Sequence, residues 1–258
     1  MRFIVLQSGG MENKQNSAPE VKKPGALTEY FTEVIYGGID GIVTTFAVVS
    51  GFTGAALATD ATVQLTFVVV LLFGLANLFA DAASMGLGNF LSVSSEKDLY
   101  MAARAKEEVA VRDNTAREVE ETVRIMVERG FTEADARSMV AIYQKNHEYW
   151  VDFMMNHKLE MSDPRGTNPA YTGFATFISF MIFGAVPLLP FMFIPDGTNE
   201  QAFIYSSVGT FLALVLLGLL KWRIVGGSLR AALTEVILVG GVAAVIAYIV
   251  GMFFGGKI

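Results

Sequence analysis

The sequence has no cysteine, only two histidines and few charged residues. Without cysteine the chain cannot form a disulfide, a zinc ribbon, an iron–sulfur cluster or a cysteine nucleophile. Charged residues make up 17% of its 258 residues, whereas a soluble domain averages about 25%. The net charge of −6 also differs from the basic character of nucleic-acid-binding proteins. We therefore expect neither a soluble enzyme nor a nucleic-acid partner.

The sequence also lacks the motifs that identify common enzymes. It has no phosphate-binding Gly-x-x-x-x-Gly-Lys loop, no Gly-x-Ser-x-Gly nucleophile turn and no His-Glu-x-x-His zinc motif. We expect no enzymatic activity and no cofactor. The absence of a phosphate-binding loop also argues against ATP-driven activity of this chain.

Hydrophobic residues make up 53% of the chain and are concentrated in five long runs. A helix of about 20 apolar residues crosses the hydrocarbon core of a bilayer. The sequence therefore predicts an all-α, multi-pass membrane protein with five transmembrane helices in a lipid bilayer. The predicted spans are 34–58, 63–91, 171–195, 202–220 and 231–254.

The distribution of Lys and Arg predicts the orientation of these spans. Five spans place the N-terminal segment, residues 92–169 and residues 221–230 on one side, and these segments hold 18 of the 19 basic residues. Basic residues accumulate on the cytosolic side of membrane proteins. We expect residues 1–29 to form a disordered cytosolic tail. Because no plant targeting segment is visible, we expect a prokaryotic plasma membrane.

Residues 92–169, here called the insert, differ in composition from the spans around them. They contain 15 of the 25 acidic residues, which is typical of a solvated helical domain. The sequence thus predicts three parts after the tail: transmembrane helices 1–2 in 30–91, a cytosolic helical insert in 92–169, and transmembrane helices 3–5 in 170–258.

Four helices are predicted within the insert, at 93–113, 116–129, 133–145 and 147–160. The first should continue span 2, because no Gly or Pro interrupts residues 90–113. Thr115 and Thr132 are each followed three residues later by an acidic residue, which predicts two N-caps. Gly130 fits the position that closes the preceding helix.

Spans 1 and 2 contain the carboxylates Asp40 and Asp81. Ionisable groups in the middle of a bilayer cost roughly 2.5–3.5 kcal/mol and usually serve a function. Asn77, Asp81 and Met85 are spaced four residues apart and share one helix face, which combines oxygen ligands with a thioether and favours a transition metal. Alternatively, Asp81 hydrogen-bonds to a neighbouring helix and Met85 only fills space.

The insert contains further candidate metal ligands. Carboxylates on its helices could converge on a metal, or they could form a solvated surface paired with arginines. Two methionines near its end could bind metal or pack in a core. These candidates are Glu107, Glu108, Glu118, Glu121, Met154 and Met155.

Several segments together resemble the vacuolar iron transporter family. They are residues 40–51 (DGIVTTFAVVSG), 83–88 (ASMGLG), 152–155 (DFMM) and 186–190 (VPLLP). The resemblance extends from about residue 30 to the C-terminus. It implies a homodimer that exports Fe²⁺, and often Mn²⁺, from the cytosol in exchange for protons.

The resemblance also implies roles for particular residues. Asp40 and Met85 match the transport pathway of the family, and the insert matches its metal-collecting domain. Its matching ligands in the insert are Glu107, Glu118, Glu121, Met154 and Met155. The chain departs from the family at Asn77, Ala110 and Lys158, where family members have glutamates. Asp81, Glu108 and Glu160 are nearby carboxylates that could compensate.

Lys158 should repel a cation at short range, so we expect a weaker or rearranged metal site in the insert. In the pathway, Asp40 would alternate between holding a proton and holding the metal, with further oxygens from Asn77, Asp81 and Thr44. The rival within the same class is a general divalent-metal exporter. A rival from another class is a membrane-anchored metal sensor or scaffold that transports nothing.

Overall fold

The computed structural model describes residues 30–58, 63–193 and 199–255, and this part of the chain contains helices and no strand. The expected tail, residues 1–29, lies outside the described residues. The α-helices are α1 Phe31–Ala58, α2 Val63–Asp113, α3 Thr115–Glu128, α4 Glu133–Tyr143, α5 His147–His157, α6 Pro169–Ala185, α7 Leu189–Phe193, α8 Asn199–Val225 and α9 Leu229–Gly255.

Five helical segments are long and apolar enough to cross a membrane. They confirm the five predicted spans and the all-α fold class, and the chain is a multi-pass membrane protein. The segments are Phe31–Ala55, Phe67–Asp113, Pro169–Phe193, Glu200–Val225 and Leu229–Phe254.

Helix α2 joins the transmembrane part to the insert without a break. It has 51 residues and is therefore about 77 Å long at 1.5 Å per residue. Its first half is apolar and its second half carries most of its charges. The predicted continuation of span 2 into the insert is confirmed.

The third span is interrupted, which the sequence analysis did not predict. Helix α6 ends at Ala185, and a 3₁₀ turn at Val186–Leu188 separates it from α7. Pro187 has no backbone N–H to donate and its ring displaces the preceding turn of an α-helix. The Oγ of Ser206 in α8 donates a hydrogen bond of 2.7 Å to the carbonyl of Pro187. This hydrogen bond stabilises the interruption.

Helix α1 packs closely against α6 on one side and α9 on the other. A Cβ at Gly41 would lie 2.6 Å from the carbonyl oxygen of Phe180 in α6. A Cβ at Gly54 would lie 2.7 Å from the carbonyl oxygen of Tyr248 in α9. Glycine is therefore required at both contacts, and they fix the position of the α1 residues between them.

One of the two predicted N-caps in the insert is confirmed. The Oγ1 of Thr132 accepts a hydrogen bond from the backbone N–H of Asp135. Gly130 follows α3 with a φ of +97°, as expected for the closing residue. The predicted N-cap at Thr115 is wrong: Asn114 is the cap residue, and the Thr115 hydroxyl donates instead to the carbonyl of Val111 at 2.8 Å.

Candidate metal pathway and insert site

Asp40 and Asp81 are half-buried carboxylates on α1 and α2. They lie close enough to repel each other electrostatically. Among the described residues, neither has a basic side chain within 4 Å. Asp81 accepts a hydrogen bond of 2.7 Å from the Nδ2 of Asn77, as their spacing of four residues predicts. The transmembrane part thus brings two carboxylates together without a compensating positive charge.

Asp40 lines a cavity of about 440 Å³ between α1, α8 and α9, here called the Asp40 cavity. Lys221 and Glu235 line the same cavity and form an ion pair of 2.6 Å that joins α8 to α9. The remaining lining is mostly apolar side chains such as Ile39 and Val43. An ion that enters this cavity would find Asp40 as a carboxylate that no basic side chain occupies.

Met85 does not line the Asp40 cavity. It lines a second cavity of about 350 Å³, which also contains Glu33 and Asn89 and is here called the Glu33 cavity. Thr32 and Tyr36 line both cavities. The two predicted pathway residues Asp40 and Met85 therefore lie in adjacent cavities that share a wall.

Thr44, the remaining predicted pathway residue, donates its hydroxyl to the backbone carbonyl of Asp40 at 2.9 Å. Its hydroxyl hydrogen is used within α1, as is common for threonine in helices. Only the oxygen of Thr44 remains as a ligand atom.

The sequence analysis missed Glu33 and Asn89. Asn89 extends the series Asn77, Asp81 and Met85 by another four residues, so the helix periodicity contained a signal for it. Glu33 lies in the first turn of α1, where acidic residues commonly stabilise a helix. Because helix stabilisation is a sufficient reason for an acidic residue there, nothing in the sequence indicated that Glu33 lines a cavity.

In the insert, Glu107 on α2 and Glu118 on α3 converge on Lys158, which caps α5. The Lys158 Nζ donates to the Oε1 of Glu107 at 2.8 Å and to the Oε2 of Glu118 at 2.7 Å. Both glutamates are buried, with 7% and 4% of their side chains exposed. Burial lowers the pKa of Lys158, but its hydrogen bonds to both carboxylates outweigh that effect and raise its pKa overall.

The other two candidate glutamates of the insert also have basic partners. Glu108 lies 3.2 Å from the Nε of Arg104. Glu121 lies 2.6 Å from the Nη2 of Arg124, and the hydrogen bonds from that guanidinium hold the pKa of Glu121 below its usual value. All four insert carboxylates that the sequence singled out therefore have a positive charge at short range.

Met154 and Met155 are fully buried in the hydrophobic core of the insert, together with Trp150. The Trp150 Nε1 donates to the Oγ1 of Thr122 at 2.9 Å, and that oxygen lies 3.2 Å from the Sδ of Met154. The geometry matches the interpretation in which the last helix of the insert faces a core.

No group of three or more His, Asp or Glu side chains that could hold a metal occurs within residues 30–58, 63–193 and 199–255. The two parts nevertheless differ in chemistry. Asp40 lines a cavity and has no basic side chain within 4 Å among the described residues, whereas a lysine ammonium joins the buried glutamates of the insert. A divalent cation could bind Asp40 directly, but it would have to displace Lys158 to reach Glu107 and Glu118.

The model of the VIT family matches residues 31–252 of this chain. A vacuolar iron transporter of Toxoplasma gondii is 36% identical and covers 87% of the chain and 74% of its own length. Vacuolar iron transporter 1 of Oryza sativa subsp. japonica is 33% identical (85% of the chain, 83% of its length). Vacuolar iron transporter 1 of Arabidopsis thaliana is 31% identical (85% and 84%).

These relatives are eukaryotic proteins named for the vacuole. Their names support a multi-pass membrane protein related to iron transporters. They give no support to the expected prokaryotic plasma membrane.

Proposed function

The chain belongs to the vacuolar iron transporter (VIT) family, and from that premise we propose that it exports Fe²⁺, and also Mn²⁺, from the cytosol in exchange for protons. It is a membrane transporter of metal and not an enzyme. The observation that carries the proposed mechanism is the position of Asp40, a carboxylate within a span that faces a cavity and has no basic partner among the described residues.

Proton exchange follows from the chemistry of a half-buried carboxylate. Burial favours the neutral, protonated form of such a group, whereas a divalent cation favours the charged form. Metal binding at Asp40 would therefore release a proton, and metal departure would allow a proton to return. Asp81 strengthens the effect, because two neighbouring carboxylates share protons and cations more readily than one.

Asn77 and Met85, on the same face of α2 as Asp81, would select the metal. Asn77 uses its amide hydrogens on Asp81, which leaves its carbonyl oxygen as a ligand. The thioether of Met85 is a soft ligand and favours Fe²⁺ over Mg²⁺ or Ca²⁺. Carboxylate and amide oxygens suit Mn²⁺ as well, so we expect both transition metals to be carried.

In this proposal the insert lies in the cytosol and the protein works as a homodimer. The concentration of Lys and Arg in the N-terminal segment, the insert and the 221–230 loop supports the orientation. The family resemblance supports the homodimer. The mass of the detergent-solubilised particle, measured by light scattering, tests the dimer directly.

Metal flux into sealed liposomes tests the proposed function. Purified protein is reconstituted, Fe²⁺, Mn²⁺ and Mg²⁺ are offered separately, and the internal pH is followed with a dye. We expect uptake of Fe²⁺ and Mn²⁺ with proton movement in the opposite direction, and no uptake of Mg²⁺. Asp40→Asn should reduce the flux to that of protein-free liposomes, because the exchangeable charge is gone.

Asp113→Asn is the matched control, since it removes an exposed carboxylate from the insert end of α2. It should leave the flux unchanged. Normal flux in a folded Asp40→Asn protein would contradict the proposed mechanism. If no metal is carried by the wild type while the protein still binds metal, the metal sensor becomes the better proposal.

A further inference from the structure

A groove of about 540 Å³ lies between α2 and α6 and is here called the α2–α6 groove. Its lining is almost entirely apolar and includes Ala83, Leu87 and Phe90 of α2 and Ala170, Phe174 and Phe177 of α6. Phe90 follows Met85 by five residues, which is about 140° around a helix of 3.6 residues per turn. The groove therefore lies on a different face of α2 from the candidate metal ligands.

The groove exists because the two helices cross at glycines. A Cβ at Gly173 would lie 2.5 Å from the carbonyl oxygen of Gly86, and a Cβ at Gly86 would lie 2.9 Å from the Cβ of Phe177. The backbones are in contact at this crossing, and the larger side chains beside it form the walls of the groove. Leu87 and Phe174 in these walls are 64% and 62% exposed. Exposed apolar surface of this kind marks a groove that binds an apolar partner.

The groove lies just below the membrane interface on the side of the insert. Tyr30 before α1 and Tyr171 in the first turn of α6 have ring centroids 6.3 Å apart. Tyrosines collect at the level of the lipid headgroups. Ala170 is next to Tyr171, and the groove extends from Ala170 to Phe177, which is roughly 10 Å along α6 towards the middle of the membrane. It therefore covers the depth at which lipid acyl chains begin.

Lys97 lies on the same face of α2 as the groove. Ala83, Leu87, Phe90, Ser94 and Lys97 are spaced alternately four and three residues apart and form one stripe along the helix. A side chain on a helix leans towards the preceding turn, which for Lys97 is the direction of the groove. Lys97 is half-buried and forms no ion pair within 4 Å among the described residues. Its ammonium is therefore available to a phosphate at the level of the headgroups.

The charges beside Lys97 indicate which headgroup fits. Glu96 and Asp98 are its exposed neighbours in the sequence, so the three residues together carry one net negative charge. Arg165, in the segment before α6, forms an ion pair of 2.7 Å with Asp163. A headgroup with net negative charge would be repelled at short range. A zwitterionic headgroup offers its phosphate to Lys97 without adding net charge.

We propose that the α2–α6 groove is a phospholipid-binding site. A zwitterionic glycerophospholipid of the leaflet next to the insert lays one acyl chain against Phe90 and Phe174 and places its phosphate beside Lys97. The bound lipid holds α2 against α6 at the level where α2 leaves the membrane. This site is independent of the proposed transport function, and the failure of either proposal leaves the other intact.

Two variants remove the site from its two helices. Ala170→Phe fills the groove from an exposed position on α6, and Lys97→Gln removes the charge that binds the phosphate. Ala231→Phe is the matched control for the first variant, since Ala231 is an exposed alanine in the first turn of α9. Lys106→Gln is the matched control for the second, since Lys106 is exposed on the insert part of α2 and has no ion pair among the described residues.

The first measurement counts bound lipids by native mass spectrometry of the full, delipidated chain in detergent, titrated with phosphatidylethanolamine. We expect the wild type to retain one lipid per chain under conditions that remove all further lipids. Ala170→Phe should lose that lipid. Lys97→Gln should bind it about fivefold more weakly, which is the effect of one lysine at a membrane surface. Both control variants should bind it as the wild type does.

Two further probes separate the acyl chain from the headgroup. Phosphatidylglycerol has a headgroup of net negative charge, and it should bind more weakly than phosphatidylethanolamine with the same acyl chains. Glycerophosphoethanolamine has the zwitterionic headgroup without acyl chains, and it should not bind.

The second measurement is the thermal midpoint in detergent with and without phosphatidylethanolamine. A ligand that binds only the folded state raises the midpoint. We therefore expect a higher midpoint with lipid in the wild type and in Ala231→Phe, and no change in Ala170→Phe.

Equal lipid retention in the wild type, Ala170→Phe and Lys97→Gln would overturn the proposed site, because it would show only the lipid that surrounds the whole protein. A lower oligomeric mass in Ala170→Phe with unchanged lipid retention would also overturn it, because the groove would then be a contact between two copies of the chain. Tighter binding of phosphatidylglycerol than of phosphatidylethanolamine would overturn the zwitterionic headgroup. If Ala170→Phe does not fold, Lys97→Gln decides the result alone.

Discussion

The transmembrane part and the insert treat their buried carboxylates in opposite ways. Asp40 on α1 and Asp81 on α2 form no salt bridge among the described residues. In the insert, Lys158 joins Glu107 to Glu118 with two hydrogen bonds shorter than 3 Å. The transmembrane carboxylates have no basic partner among the described residues, whereas the insert carries its own cation as a side chain.

The presence or absence of a basic partner indicates different roles for the carboxylates of the two parts. A buried charge without a partner is unfavourable and persists where function requires it. Removal of one member of a buried ion pair is strongly destabilising, because the other charge is left buried without a partner. This difference supports the proposal that a transported cation binds the transmembrane carboxylates, whereas the carboxylates of the insert stabilise its structure.

Removal of the resident cation should have the largest effect. Lys158→Ala leaves Glu107 and Glu118 buried without a counter-charge, and we expect the insert to lose about 3 kcal/mol of unfolding free energy. Urea unfolding followed by Trp150 fluorescence in a Trp222→Phe background measures this loss. Lys145→Ala is the control, since Lys145 is exposed and has no ion pair among the described residues. Equal stability of the two variants would contradict a structural role for Lys158.

Reversal of the charge at the same position should turn the structural cluster into a metal site. Lys158→Glu places a third carboxylate beside Glu107 and Glu118, so the insert should be unstable without metal. It should regain about 2.7 kcal/mol of unfolding free energy when Mn²⁺ is present at a hundred times its Kd. The shift of the urea midpoint with Mn²⁺ measures the effect. An equal shift in the wild type would show that metal displaces Lys158, and the comparison between the two parts would fail.

Removal of one transmembrane carboxylate should stabilise the protein while it impairs function. Asp81→Asn relieves the repulsion between the two carboxylates, so the thermal midpoint should rise. Differential scanning fluorimetry in detergent measures the midpoint, and liposome flux should fall. Asp98→Asn, an exposed position on the insert part of α2, is the control and should change neither. A lower midpoint in Asp81→Asn would show that the pair is not strained.

The smallest expected effect concerns pH. Burial lowers the pKa of His157, and the charge of Arg129 adds to that effect. The folded insert therefore binds this proton less tightly than the unfolded chain, and stability is lost as the pH falls from about 6.5 towards the lowered pKa. The urea midpoint of the insert should be lower at pH 5.5 than at pH 7.5. In His157→Gln the difference between the two midpoints should be smaller. If the difference between the two midpoints is the same in His157→Gln as in the wild type, the acid sensitivity comes from the carboxylates instead.

Much of the fold follows from local sequence. The lengths of the apolar runs predict the five spans, and the absence of Gly and Pro after Phe90 predicts the continuous α2. Thr132 caps a helix as predicted, but Thr115 does not, because its hydroxyl finds a carbonyl in the preceding turn. Pro187 is a sequence signal for a helix interruption, but the continuous apolar run around it led us to predict one unbroken span.

The contacts within the candidate sites were harder to predict from the sequence, because they join residues that are far apart in the chain. Lys158 lies 51 residues from Glu107 and 40 from Glu118. The sequence indicated a repelling charge at Lys158, and only the packing of α2, α3 and α5 shows which side chains it binds. The position of Glu33 was hard to predict for the same reason, since Met85 and Asn89 in its cavity lie on another helix and more than fifty residues away.

The unbroken helix α2 also sets how the two parts can influence each other. Met85 and Glu107 lie on this one helix, roughly 33 Å apart along its axis at 1.5 Å per residue. The Debye length at physiological ionic strength is about 8 Å, so solvent ions screen a charge at one end almost completely from the other. Electrostatic coupling between the two ends is therefore weak. The unbroken helix can instead couple the two parts mechanically, by tilting or rotating as one rigid rod.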